Sequence, residues 1–142
     1  MPPSAPELQL TLDCVDPHAQ ARWWAGLLGY EVTDAHAVVT ALLESGELPL
    51  NDVVEDGGRR AFRDAAAADP VGTRPRLYVQ RVPEAKSAKN RLHLDVRVRP
   101  SDLTAEVDRV VAPGGSFVEY SCRGEHRWAV RRDPEGNEFC LT

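Results

Sequence analysis

Asp133-Pro134-Glu135-Gly136-Asn137-Glu138-Phe139-Cys140-Leu141 reads as a tight turn feeding a short strand. Proline presets φ for such a turn and glycine relieves the steric cost of a positive φ. Side chains alternate along a strand, so Glu138 and Cys140 share one face while Phe139 and Leu141 share the other. The face that carries Cys140 is the one able to look into a cavity.

Working back from this ending, His126 to Arg131 and Ser116 to Ser121 read as strands. Before them Leu103, Val107, Val110 and Val111 recur at helical spacing, with Ser101 or Asp102 as cap and Pro113-Gly114-Gly115 as stop. Arg91 to Val98 alternates as a strand and is preceded by a polar connector, Pro83 to Asn90. The same order is legible in the first half. Leu8 to Cys14 alternates, with Gln9, Thr11 and Asp13 opposite the leucines. Asp16 and Pro17 then open a helix that carries Trp23, Trp24, Leu27 and Leu28 and stops at Gly29. Tyr30 to Thr33 and Ala37 to Leu43 are expected as strands, and so is Arg76 to Val82, which places Tyr78 and Gln80 on one face. Between them, residues 44–73 lose periodicity, and the expectation is a long loop or a short helix near Arg60 to Ala68. The predicted order is β-α-β-β-β twice, and Leu10-Thr11-Leu12-Asp13 echoes Leu92-His93-Leu94-Asp95 at a spacing of about eighty residues. Neither unit buries both faces of its sheet alone, so pairing leaves a concave inner face for a ligand.

Composition narrows the function classes. The 142 residues are 42% hydrophobic and 27% charged, ordinary for one soluble domain with its own core. A net charge of −5 with scattered basic residues argues against nucleic acid or an anionic membrane as partner. Gly58-Arg59-Arg60 and Arg131-Arg132 read as solvated pairs or salt-bridge partners. Three cysteines without Cys-x-x-Cys spacing fit reduced thiols in a cytosol. The start Met-Pro-Pro-Ser-Ala-Pro has neither a basic nor an apolar leader region, and no stretch approaches the ~20 apolar residues of a span, so a cytoplasmic protein is expected.

Taken together, several segments resemble the vicinal oxygen chelate superfamily, in its glyoxalase and bleomycin-resistance branch. They are Asp16-Pro17, Trp23-Trp24 before Leu28-Gly29-Tyr30, Leu77 to Glu84, Lys89-Asn90-Arg91-Leu92-His93-Leu94-Asp95 and Asp133 to Cys140. The resemblance implies an α+β fold of two paired βαβββ modules forming a U-shaped mixed sheet with helices outside. It implies one glyoxalase-like domain over 1–142, with module one at about 7–83, an insertion at about 44–73, and module two at about 90–142. Metal enzymes of this superfamily draw one ligand from each opening and each closing strand of the two modules. His93 matches such a position. Gln9 or Thr11, Gln80, and Cys140 in place of the usual glutamate fill the others. Gln and Thr are poor ligands for first-row metals, so no metal residues are assigned and no firmly bound cofactor is expected. A divalent metal at His93 and Cys140 is the alternative.

The expected function is therefore binding of a small oxygenated metabolite in the cleft of the sheet, with proton-transfer chemistry of the lyase or isomerase kind if the protein is an enzyme. His93 and Glu138 are the candidate catalytic residues, and Gln9, Thr11, Tyr78, Gln80, Asp95, Trp128 and Cys140 are the candidate ligand-binding ones. A structural reading stands beside each of these. His93 would line a core and bond Asp95, Cys140 would be a small buried apolar residue, and Trp23 and Trp24 would be core. The alternatives are a non-catalytic, drug-sequestering protein of the bleomycin-resistance type and a metal-dependent lyase, isomerase or dioxygenase. A monomer is structurally sufficient and a homodimer is the other expected state.

Overall fold

The structure, a computed structural model, describes residues 4–111 and 114–142, so the first three residues and the expected stop at Pro113 lie outside the described residues. The chain divides between Pro83 and Glu84 into two units. In the first, β1 (Gln9–Cys14) leads into α1 (Pro17–Leu28) and β2 (Glu31–Val32). There follow α2 (His36–Ser45), a 3₁₀ turn (Leu50–Asp52), β3 (Val53–Asp56), β4 (Arg59–Phe62), β5 (Ala65–Asp69) and β6 (Arg76–Arg81). The main sheet has the order β1-β6-β5-β2, with β1 parallel to β6 and the other pairs antiparallel.

Local chemistry explains α1. The Asp16 carboxylate accepts from the Ala19 backbone N–H at 3.0 Å, Pro17 occupies the first turn, and Gly29 closes the helix at φ 68°. Such a cap contributes about 1 kcal/mol. The helix packs over β5 and β6, burying Ala21 and Trp24 along with Ala68, Leu77 and Val79 of the strands.

Two expectations in this unit are overturned. Ala37 to Leu43, expected as a strand, is the middle of α2. Short apolar runs rich in β-branched residues are ambiguous between the two periods, and here Asp34 Oδ1 accepts from the His36 N–H at 3.0 Å while Gly46 ends the helix at φ 78°. The stretch read as a loop or helix holds three strands instead. Gly57 and Gly58, at φ 58° and 78°, make the two-residue turn of the β3–β4 hairpin, a geometry that needs positive φ twice. Ala65 to Ala68 is a run of strong helix formers, but pairing with β6 and burial of Ala67 and Ala68 override that preference. The extra elements between the second and third strands of the main sheet are thus α2 and the β3–β4 hairpin.

In the second unit, β7 (Asp95–Val96) is followed by a 3₁₀ turn (Pro100–Asp102), α3 (Leu103–Val111), β8 (Ser116–Arg123), β9 (His126–Arg132) and β10 (Glu138–Leu141). Its sheet order, β7-β10-β9-β8 with β7 parallel to β10, repeats the first unit: opening strand, closing strand, then the other two in reverse. The strand expected over Arg91 to Val98 is shorter, although backbone bonds from Cys140 N to Leu94 O and from Val98 N to Thr142 O extend its ladder. Ser101 and Asp102 sit in the 3₁₀ turn, where the Asp102 carboxylate accepts from Arg99 Nε at 2.6 Å. Leu103 and Val107 are buried, as are Ala129, Phe139 and Leu141 of the sheet.

Candidate functional site

In the first unit a cleft of about 720 Å³ opens beside β4, β5 and β6. Register sets what faces it. Tyr78 pairs with Ala67 and Gln80 with Ala65, so two polar side chains and two small ones share one face, while Leu77, Val79 and Ala68 on the other face meet α1. The alanines keep the floor shallow and leave Tyr78 and Gln80 standing above it. Gln80 Nε2 donates to Asp13 Oδ1 at 2.8 Å, which fixes the amide. Thr11 lies across from Tyr78 and is exposed; Gln9 lies across from Arg76, also exposed, and neither lines the cleft.

The remaining walls come from residues to which the sequence reading gave no role in a site: Arg60 and Phe62 of β4, His18 of α1, and Asp34 before α2. The Gly57-Gly58 dipeptide between two short alternating runs was the available signal for this hairpin. His18 Nε2 hydrogen-bonds the Phe62 carbonyl at 2.9 Å, and His36 Nδ1 accepts from the Arg60 N–H at 2.9 Å, so both helices tie to β4. Arg59 donates to both oxygens of Asp34, at 3.1 and 2.6 Å, and holds that carboxyl below its ordinary range. Arg22 reaches Asp56 at 2.6 Å, and Arg81 reaches Asp64 at 3.3 Å.

In the second unit a different cluster forms. Cys140 of β10 pairs in register with Asp95 of β7, and His93 stands two residues before Asp95, so all three project to the same face. His93 Nδ1 is 3.4 Å from Asp95 Oδ1, and one donor atom from each of His93, Asp95 and Cys140 lies within 4.8 Å of the others. His93 and Asp95 are exposed and Cys140 is half-buried. Burial, then the Asp95 charge and hydrogen bond, push the Cys140 thiol up, which makes it a donor toward Asp95 rather than a nucleophile. Trp128 belongs to the same face, two residues from the Val130 that opposes Cys140, and its ring lies 5.5 Å from that of His126.

Glu138 shares that face but is committed elsewhere. Its carboxylate accepts from the Asn90 backbone N–H at 2.9 Å and pairs with Lys86 Nζ at 3.1 Å. Burial pushes its pKa up, yet the Asn90 and Lys86 hydrogen bonds outweigh this and hold it at about 2. A base poised for proton transfer needs a pKa near the working pH and a free lone pair. Glu138 instead clamps the segment before β7 onto β10.

Metal enzymes of the superfamily that the sequence resembles hold a cation on the opening and closing strands, and the donor set here can be compared with that expectation. Imidazole nitrogen, carboxylate oxygen and thiol sulfur form a three-ligand set of the type that catalytic zinc uses with one position left open. The raised thiol does not oppose this, because a bound cation displaces the proton. His93, Asp95 and Cys140 therefore fit a divalent cation, with Asp95 supplying a donor that the strand-by-strand comparison of the sequence did not count among the ligands.

Mixed α+β structure and the repeated opening-to-closing strand pairing agree with the fold that the resemblance to the vicinal oxygen chelate superfamily implies, and the comparisons place the chain in that class. A family model described as a glyoxalase-like domain matches residues 9–142, and the chain belongs to that family. No curated protein matches the chain. Among solved structures it is similar to a glyoxalase/bleomycin resistance protein/dioxygenase family enzyme from Burkholderia phytofirmans PsJN, at 15% identity and TM-score 0.63, covering 94% of each chain. It is also similar to the fosfomycin resistance protein FosX from Mesorhizobium loti, at 14% identity and TM-score 0.63, covering 96% of this chain and 89% of that one. TioX from Micromonospora sp. ML1 follows at 18% identity and TM-score 0.52, covering 96% and 97%. At these identities the likeness is one of fold. Among the described residues no helix is long and apolar enough to cross a membrane.

Proposed function

We propose that this glyoxalase-like protein binds a small oxygenated molecule in the cleft of its first unit, with Tyr78 and Gln80 as polar contacts. The observation that carries the reading is the cleft of about 720 Å³ itself, within the ~300–1,000 Å³ of small-molecule sites. Tyr78 presents an amphipathic ring and Gln80 an amide fixed by Asp13. A thermal-shift screen of small hydroxy and oxo compounds, followed by calorimetry of the hits, tests it. Tyr78→Ala and Gln80→Ala are each expected to weaken binding about tenfold or more with folding unchanged. Hits that bind both variants as tightly as the wild type would place the ligand outside this cleft.

A second reading, metal-dependent lyase, isomerase or dioxygenase chemistry, is favoured by the convergence of His93, Asp95 and Cys140. A cation held there would act as Lewis acid on the substrate oxygens, and His93, Asp95 and Cys140 would hold it. Metal content of untagged protein, measured by plasma mass spectrometry, decides it. Near-stoichiometric zinc, iron, nickel or manganese that falls in Cys140→Ser supports this reading, and a few percent of metal, unchanged in Cys140→Ser, removes it.

A further inference from the structure

We infer that the ligand of the first-unit cleft is a small organic anion, a carboxylate on an apolar body, and that Arg60 is the residue that anchors it. The inference rests on the reading of this cleft as a ligand site and names the chemistry of its occupant. Three arginines line the cleft, and two are occupied: Arg59 by Asp34 and Arg81 by Asp64. Arg60 differs. Its side chain is half-buried, and among the described residues its guanidinium makes one long hydrogen bond, 3.4 Å from Nη1 to Thr40 Oγ1. Glu55 stands directly across the hairpin from Arg60 but makes no ion pair with it.

The position of Arg60 is held independently of its charge. Its backbone N–H is bound to His36 Nδ1, and β4 is fixed to α1 through the Phe62 carbonyl and His18. A guanidinium set this way presents a planar fork matched to a carboxylate. Next to it the walls turn apolar: Phe62 lies two residues along β4 on the same face, and Ala65 and Ala67 form the floor. Of the acidic residues that line the cleft, Asp34, Asp56 and Asp64 are paired with Arg59, Arg22 and Arg81, which leaves the Asp52 carboxylate to disfavour a second negative group, so a monoanion is the better match.

Calorimetry with 2-naphthoate and its neutral amide, 2-naphthamide, tests this on the full chain. Wild-type protein is expected to bind the carboxylate about tenfold or more tightly than the amide, and Arg60→Gln to bring the two within about threefold by lowering carboxylate affinity alone. Glu55→Gln is expected to leave carboxylate affinity unchanged. Equal affinity for the two probes in wild-type protein overturns the anion anchor and leaves the cleft as a ligand site. Failure of both probes to bind overturns the inference and leaves the cleft reading to the compound screen. Loss of the amide as well in Arg60→Gln shows that Arg60 holds the fold rather than the ligand, and a tenfold gain in Glu55→Gln shows that Glu55 occupies Arg60 in solution; either overturns the inference.

Discussion

Asp133→Ala is expected to lower stability by about 3 kcal/mol, because a single buried carboxylate organises the whole turn before β10. Asp133 is only 2% exposed. Its Oδ1 accepts from the Glu135 N–H at 3.0 Å and from the Asn137 N–H at 2.9 Å, and its Oδ2 accepts from Asn137 Nδ2 at 2.9 Å. Hydrogen bonds to a charged acceptor contribute about 1.5–3 kcal/mol each, and the open turn regains water on part of what it loses, which sets the estimate below the sum. Gly136 completes the geometry at φ 89°, a conformation unfavourable for other residues. Asp133→Asn keeps one carbonyl acceptor and is expected to fall between wild type and alanine. Urea unfolding measures both, and a loss under about 1 kcal/mol for Asp133→Ala would show that the backbone bonds of the turn suffice without the carboxylate. The consequence reaches the His93 cluster: β10 starts where this turn delivers it, so displacement of the turn separates Cys140 from Asp95.

That turn was legible because proline, glycine and aspartate act locally, and so were α1, with Asp16 and Gly29 at its ends, and the alternation that put Tyr78 beside Gln80. The strand order of the second half was readable for the same reason, whereas in the first half the strand expected over Ala37 to Leu43 is α2 and the sheet is completed by β5. What escaped reading depends on distant partners. Val38-Val39-Thr40 by itself suits a helix or a strand; the features that bound it as a helix, Asp34 and Gly46, lie outside the apolar run, and the full burial of Val39 within α2 is a fact of packing. Ala65 to Ala68 became a strand because β6 was there to pair with it. The candidate site divided likewise. His93, Asp95 and Cys140 were each visible, but their meeting required the parallel pairing of β7 with β10. Arg60 was invisible as a binding residue, since the hairpin that aims it into the cleft lay inside a stretch without recognised periodicity. Glu138 was read from its face alone, and the Lys86 and Asn90 partners that commit it lie about fifty residues earlier.

Arg131→Met is expected to raise stability by about 1–4 kcal/mol, the opposite sign from most core substitutions. The sequence reading made Arg131-Arg132 a solvated or paired couple, yet Arg131 is fully buried. It lies on the face of β9 that carries Ala129, opposite Phe139 of β10 and Phe117 of β8, and α3 packs over this sheet. None of Nε, Nη1 and Nη2 has a hydrogen-bond partner among the described residues. Burial accordingly pulls its pKa below the ordinary guanidinium range, against the pull of Tyr120 and Asp108 in the other direction. The guanidinium sits 5.6 Å from the Phe117 ring centre, a cation–π contact. Such a contact contributes about 0.5–2 kcal/mol, whereas desolvating the ion costs several, so the second term dominates. Methionine keeps the length and flexibility of the side chain and removes the charge. Thermal and urea unfolding of Arg131→Met read the result, and a loss above about 1 kcal/mol would mean that the guanidinium finds a partner in solution, with Asp108 the first to test by a double-mutant cycle. Because Cys140, Val130 and Trp128 occupy the opposite face of the same sheet, the stabilised variant is expected to show the same metal content as the wild type, whatever that content is, which separates the cost of this core arginine from the His93 cluster on the other side.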